Sequence, residues 1–350
     1  MKNHLRIGLV ILIATGLVSC VEQGGLKAGT ATGKSMLKLI PASARMVFMV
    51  DIHRSLTADA VTKALKDEKM KQKYDGFVKM AGLDPMKDIY FLAVGLSGTP
   101  AGNEREGAII VNLRYDKGQL LAKLKLVAKN LQEETYNGLT VYKNVDAAKP
   151  GKMAPAGAFL DDSNIVLGTD KTVRAVIDVY QKKADSVDKS PEMKKLFKLV
   201  NMSANVWAAV AIPPGMLKQA ADKNPMLKDL VGVTGLTLSF DYANKTLTTE
   251  VQSLGGTKEQ NKTLAERLIA LKSMGALVTA KLPLQGELLN TIEISSGDDH
   301  VKIYSSIPAE LMEKLQAMAQ EKLGSLMQAS PQAPKEEKKE GKKEGAEVKK

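Results

Sequence analysis

From Leu39 onward, apolar side chains recur in two rhythms, one expected of strands and one of helices, and the rhythms come in the same order twice. Ser43 to Ile52 (SARMVFMVDI) and Ser203 to Ile212 (SANVWAAVAI) are short apolar runs that predict buried strands, and at a shift of 160 they share Ser, Ala, Val and Ile. Helical stretches follow each, at Thr57–Met80 and Gly215–Leu230. Two strands come next in each half, Asp88–Leu96 and Gly107–Tyr115, then Thr234–Tyr242 and Lys245–Leu254. In the latter pair Leu236, Leu238, Phe240 and Tyr242 alternate with Thr237, Ser239 and Asp241. Leu247, Thr249 and Val251 repeat the alternation across an Ala243-Asn244 turn, which predicts a hairpin with one buried face. Leu120, Leu121, Leu124, Val127, Ala128 and Leu131 recur at spacings of three and four, placing an amphipathic helix over Asp116–Leu131, and Leu264, Leu268 and Leu271 mark its counterpart. Each half closes on a hairpin and a helix. The first uses Ala158–Leu160, an Asp161–Asn164 turn and Ile165–Gly168; the second uses Leu288–Ile294, a Gly297–Asp299 turn and Val301–Ile307.

Hairpins joined without crossover helices imply antiparallel sheets, so the expected class is α+β: two related units of antiparallel sheet with packed helices. The units run over 39–190 and 191–328. Ahead of them, Val21–Ser35 (VEQGGLKAGTATGKS) has the composition of a flexible tether, with a root-mean-square reach of roughly 20 Å, and the tether is placed at 20–38. Behind them, 329–350 is dominated by Lys, Glu and Ala, lacks the apolar surface to fold and predicts a disordered tail.

Composition narrows the classes. The chain has 350 residues, 50 Lys+Arg against 39 Asp+Glu for a formal charge of +11, 44% hydrophobic residues and 4% aromatic ones. Collagenous and disulfide-scaffold classes are excluded. One cysteine and three histidines cannot furnish the usual zinc sites, so no metal or other cofactor is expected. The basic balance suits anionic envelope polymers or lipid head groups better than nucleic acid, because a reader of single strands offers aromatic platforms that this chain lacks.

The amino terminus is the most specific segment. Lys2 and Arg6 precede Ile7–Leu17 (IGLVILIATGL), an uncharged run too short to span a bilayer and shaped like a secretory signal. It ends in Leu17-Val18-Ser19-Cys20, which resembles the lipobox of bacterial lipoproteins. The resemblance implies removal of 1–19 by cleavage between Ser19 and Cys20, and lipidation of Cys20 with diacylglycerol and a further acyl chain such as palmitate. Such multiple acylation gives stable membrane anchoring. Val21, standing where an acidic residue would favour retention in the inner membrane, implies the outer membrane, facing periplasm or surface. The body loosely resembles bacterial envelope α+β domains of unknown function, a likeness that brings no activity with it.

Candidate chemistry is sparse. Asp51 and His53 fall on one face at the end of the first strand and would make an orienter and base. Ser97 in Gly95-Leu96-Ser97-Gly98 matches part of a nucleophile elbow, with Thr99 in place of its second glycine, and reads better as a loop. Gly29, Gly33, Lys34 and Ser35 fall short of a phosphate-binding loop by one residue. Asp161–Asp162 and Asp298–Asp299–His300 are acidic pairs suited to turns. Sixteen methionines, Met312, Met318 and Met327 among them, are expected to fill cores. No catalytic residue is assigned and the protein is expected not to be an enzyme. Two functions remain: a lipid-anchored binding or structural protein with an envelope partner, or a carrier of an acyl chain or other hydrophobic ligand between sheet and helices.

Overall fold

The computed structural model describes residues 27–318 apart from 59–60, 63–64, 99–105, 129, 148–153, 280–281 and 316. The predicted signal segment, Ser19, Cys20, Met327 and the 329–350 tail lie outside the described residues.

Among the described residues, twelve strands form one continuous antiparallel sheet. They are β1 Met46–Asp51, β2 Ile89–Ser97, β3 Glu106–Leu113, β4 Leu131–Tyr136, β5 Leu139–Asn144, β6 Pro155–Phe159, β7 Asn164–Thr169, β8 Val206–Ala211, β9 Val233–Ala243, β10 Thr246–Gly255, β11 Ile292–Ser296 and β12 His300–Pro308. The α+β class is therefore the observed one. The order is β11-β12-β10-β9-β8-β1-β2-β3-β7-β6-β5-β4. Read outward from the central β1–β8 pair, both sides follow one plan: first strand, second, third, then the closing hairpin with its last strand innermost. At the centre Phe48 faces Ala208 directly, and these are the residues that the shift of 160 equates.

Side-chain alternation gives the sheet two faces. The back face carries Val47, Met49, Trp207 and Ala209, packed with Val173, Val176 and Ile177 of the helix Asp170–Tyr180 and with Met193 and Leu196 of the helix Pro191–Leu199. The front face carries Val111, Ile165 and Leu167, packed with Leu83 and with Leu120 of the helix Lys117–Val127. Farther along the front, Leu264 and Ala265 of the helix Lys258–Val278 cover Val301 and Ile294.

Several expectations need correction, among them the Leu288–Ile294 strand, which is helix up to Asn290 and strand from Ile292. Four others involve longer stretches of the chain. Residues 33–38 are no tether. Thr32 caps the short helix Gly33–Met36 with Ser35 in a reciprocal capping box, and Met36, Leu37 and Ile40 are sealed in the back-face core. Val187 N–H donates to the Ile40 carbonyl at 2.7 Å, fastening the segment down. The Gly/Thr/Ser composition resembles a linker because small residues are what this close approach requires: a Cβ on Gly33 would sit 3.0 Å from Trp207 Nε1 and 3.1 Å from the Met202 carbonyl. Gly33→Leu should therefore lower the urea midpoint by the equivalent of about 1–3 kcal/mol, as overpacking does; a free tether would show no change.

The second correction concerns the first half, which has an additional hairpin, β4–β5, where a helix was expected to continue to Leu131. Its turn is Asn137-Gly138 with φ of 50° and 80°, the left-handed pair of a two-residue hairpin. Glu134 on this edge accepts from Arg174 and Lys143, both at 2.6 Å, which holds its carboxyl down at about 2 and pins the hairpin to the helix Asp170–Tyr180. Third, the Thr57–Met80 helix is instead Ile52–Leu56 and Glu68–Ala81, and Gly215–Leu230 divides into Met216–Lys223 and a 3-10 turn, Pro225–Leu230.

The fourth is the β9–β10 hairpin, which turns at Asn244-Lys245, both at positive φ, one residue later than expected. Its buried side is the one that carries Thr237 and Ser239, with Gly235 against Leu196. Leu236 and Phe240 face outward, 41% and 37% exposed.

Candidate ligand-binding cavity

β1 ends where the Asp51 carboxylate accepts from Arg54 N–H and starts the helix Ile52–Leu56. The chain returns through Glu68–Ala81, capped by Asp67 on Met70 N–H and stopped by Gly82 at φ 71°. It re-enters the sheet through Pro85–Asp88, where Pro85 follows the capping Asp84. These segments stand over the front of β2, β3 and β7 without closing on it, and leave a cavity of about 450 Å³. Leu92, Ile109, Val111 and Leu167 belong to the sheet wall, while Ile52, Leu56, Met70, Tyr74 and Phe77 line it from the helices.

Its chemistry is hydrocarbon. Tyr74 lines the space with its ring, but its hydroxyl donates to the Asp84 carboxylate, and burial together with that bond pushes its pKa up. Lys73 is the single charged residue among those lining it. The volume lies within the range of small-molecule pockets, about 300–1,000 Å³, whereas the few convergent polar groups that usually orient a ligand are missing from the lining. Such a space suits a flexible apolar chain held by dispersion and by release of water.

The residues singled out earlier lie elsewhere or are already occupied. Asp51 caps a helix, while His53 donates from Nδ1 to the Met86 carbonyl at 2.8 Å and tilts against the Tyr90 ring; the two form no dyad. Ser97 ends β2 and donates to the Glu106 carbonyl across the strand pair, so it lies in a strand where a loop was expected. Gly29 and Ser35 belong to the packed amino-terminal segment, with Gly29 beside Tyr90. Asp161 accepts from Ser163 N–H at 2.8 Å and from Asn164 Nδ2 at 2.9 Å, which is turn chemistry; burial raises its pKa. Asp298 pairs with Lys258, and Asp299 with His300. Among the described residues no cluster of three His, Cys, Asp or Glu is arranged for a metal, and no helix is long and apolar enough to cross a membrane. Methionine serves both roles: Met36, Met49 and Met193 are buried, whereas Met226 and Met274 are exposed.

The cavity residues were missed as a group. Met70, Tyr74 and Phe77 follow the spacing of one helix face, a pattern that predicts burial, whereas this face stands away from its sheet with Met70 exposed and Tyr74 and Phe77 half-buried.

Fold and cavity together define an α+β protein with an apolar pocket between sheet and helices. By sequence, the chain belongs to a family described as proteins of unknown function (DUF3352), whose model matches residues 96–324. No curated protein matches it. Among solved structures, crystal form III of TP0453 is similar at 10% identity and a TM-score of 0.43, covering 79% of this chain and 95% of that one. Crystal form I of TP0453 gives 10% and 0.42, covering 81% and 96%. No residue role is transferred at that distance.

Proposed function

We propose that this protein is a lipid-anchored, non-enzymatic carrier of the bacterial cell envelope, held by Cys20 to the outer membrane and taking up a hydrocarbon chain in the cavity between sheet and helices. The observation that carries the reading is the apolar lining of a space of about 450 Å³. Of the two functions left open by the sequence, a structural role requires no such space, since interiors ordinarily pack to crystal-like density. The lipobox supports the anchoring, and an anchored carrier meets its ligand at the bilayer.

The test is titration of the protein with dansyl-labelled undecanoic acid. Saturable uptake is expected, with the blue shift that accompanies transfer of the dye out of water. Leu92→Trp, which places an indole in the cavity, should weaken it at least about tenfold, the equivalent of about 1.4 kcal/mol. Uptake that does not saturate, or that Leu92→Trp leaves unchanged, would refute the carrier reading.

A further inference from the structure

Two helices stand over the cavity, and the body holds them differently. Ile52–Leu56 is tied at several points: Asp51 caps it, His53 Nδ1 donates to the Met86 carbonyl at 2.8 Å, and Arg54 reaches the second half of the sheet, donating to Asp241 at 2.6 Å and to the Ser203 carbonyl. Glu68–Ala81 is longer and looser. Of its 14 residues Ala81 alone is buried; Tyr74, Phe77 and Val78 are half-buried, and Met70 and Met80 are exposed. Its apolar face meets the cavity and not the sheet, so the helix lacks the packing that supplies most helical stability in proteins.

Attachment of this helix is concentrated at one end. Ala81 and Leu83 are sealed in the body, Lys123 Nζ donates to the Ala81 carbonyl at 3.0 Å, and Gly82 between them turns the chain at φ 71°. A fixed point next to a glycine has the form of a hinge, because glycine accepts dihedral changes that other residues resist. Halfway along the helix the Tyr74 hydroxyl donates to the Asp84 carboxylate. Among the described residues, the other side-chain hydrogen bonds of this helix, Asp67 to Met70 N–H and Lys71 to Asp75, are internal to it. Asp84 is itself held in place. Its Oδ1 accepts from Met86 N–H at 3.0 Å and its N–H donates to Asp88 Oδ2 at 2.9 Å, while Asp88 is buried and paired with Arg114 at 3.0 Å.

We propose that the helix Glu68–Ala81 is a lid that swings about Gly82, and that the Tyr74–Asp84 hydrogen bond is its latch, so that the cavity exchanges ligand when the latch breaks. This rests on the carrier reading and names the regulation of that site. A single hydrogen bond to a charged acceptor makes a modest net contribution, which keeps the lid closed most of the time and still lets it open by thermal motion. The latch joins two groups of the protein and is made whether or not ligand is present. It therefore governs the rate of exchange and not the affinity: a lid that opens equally in the free and loaded protein multiplies entry and exit by one factor and leaves Kd unchanged.

The experiment follows dansyl-labelled undecanoic acid by stopped-flow fluorescence on the full mature protein, giving association and dissociation rates beside the equilibrium titration. Tyr74→Phe removes the hydroxyl and keeps the ring in the cavity wall. It should raise both rates together by about tenfold, the equivalent of about 1.4 kcal/mol, with Kd unchanged and full binding amplitude, which also reports intact folding. Asp84→Asn keeps an oxygen for Met86 N–H while removing the charge that the hydroxyl meets, so it should raise both rates less, and it should add nothing in the Tyr74→Phe background. Rates unchanged by Tyr74→Phe would overturn the latch and leave the carrier reading in place. Faster dissociation alone, with Kd weakened to match, would make Tyr74 a wall contact and overturn the lid. A further rise on combining the two substitutions would overturn the pairing of Tyr74 with Asp84 as the latch. Absence of saturable uptake by the unsubstituted protein would overturn both the lid and the carrier reading.

Discussion

Trp207→Ala should cost about 4 kcal/mol of folding stability, the range for truncating a fully buried large aromatic. Trp207 is 1% exposed and sits on the back face directly opposite Met49. Phe197 meets it edge-on at 6.1 Å, and the backbone of Gly33 closes over its indole nitrogen. Three parts of the chain therefore converge on one ring: the central strand pair, the helix Pro191–Leu199 and the amino-terminal segment. Their mutual constraint prevents the site from collapsing around a smaller residue, and that raises the cavity term. Against a typical total of about 5–15 kcal/mol, such a loss removes a large fraction of stability. Because this is the chain's single tryptophan, unfolding must be followed by far-ultraviolet circular dichroism and not by intrinsic fluorescence. Trp207→Phe should recover part of the loss, and limited proteolysis should show residues 27–40 becoming cleavable first in the alanine variant. A loss below about 1.5 kcal/mol would mean that the indole is not the keystone described.

The strands were legible because alternation is local: β1, β8, β9 and β10 were placed within a few residues from their apolar period alone. The likeness of Ser43–Ile52 to Ser203–Ile212 reappears as direct pairing of Phe48 with Ala208 at the sheet centre. What escaped depends on which face a distant helix covers. Leu236 and Phe240 look like core because they are apolar, yet the helix Pro191–Leu199 packs on the other side of β9 and buries Thr237 and Ser239 instead. The β4–β5 hairpin escaped for the opposite reason. As an edge it carries Gln132, Glu133 and Glu134, exposed polar residues that protect an edge and erase the apolar period of a strand. Its Asn137-Gly138 turn was the available signal. The cavity had no sequence signature, since Met70, Tyr74 and Phe77 would look the same on a helix packed tightly against its sheet.

Cys20→Ser should abolish incorporation of an alkyne-labelled fatty acid into the protein and leave the precursor uncut, longer by the signal segment 1–19. The thiol is the attachment point that the lipobox resemblance implies, and serine offers no comparable nucleophile for a thioether. Two or three acyl chains anchor stably because each buried methylene contributes about 0.8 kcal/mol, so their loss should change partitioning from fully membrane-bound to largely released once the signal is replaced by a non-lipoprotein one. The packing of residues 33–40 sharpens the consequence. Ala28 N–H donates to Ser163 Oγ at 3.0 Å, so the chain is already fixed to the body at Ala28, eight residues after Cys20, and Lys27, the first described residue, lies seven after it. Seven residues span at most about 25 Å when fully extended. An anchor at Cys20, as the lipobox resemblance implies, would keep the body within a bilayer's thickness of the lipid surface, the arrangement the proposed carrier role requires. Lengthening the 21–26 stretch with flexible residues should therefore leave acylation and fold intact while slowing lipid uptake from the membrane that holds the protein. Equal uptake from that membrane and from added vesicles at every linker length would separate anchoring from carriage, and a Cys20→Ser variant still labelled by fatty acid would remove Cys20 as the anchor.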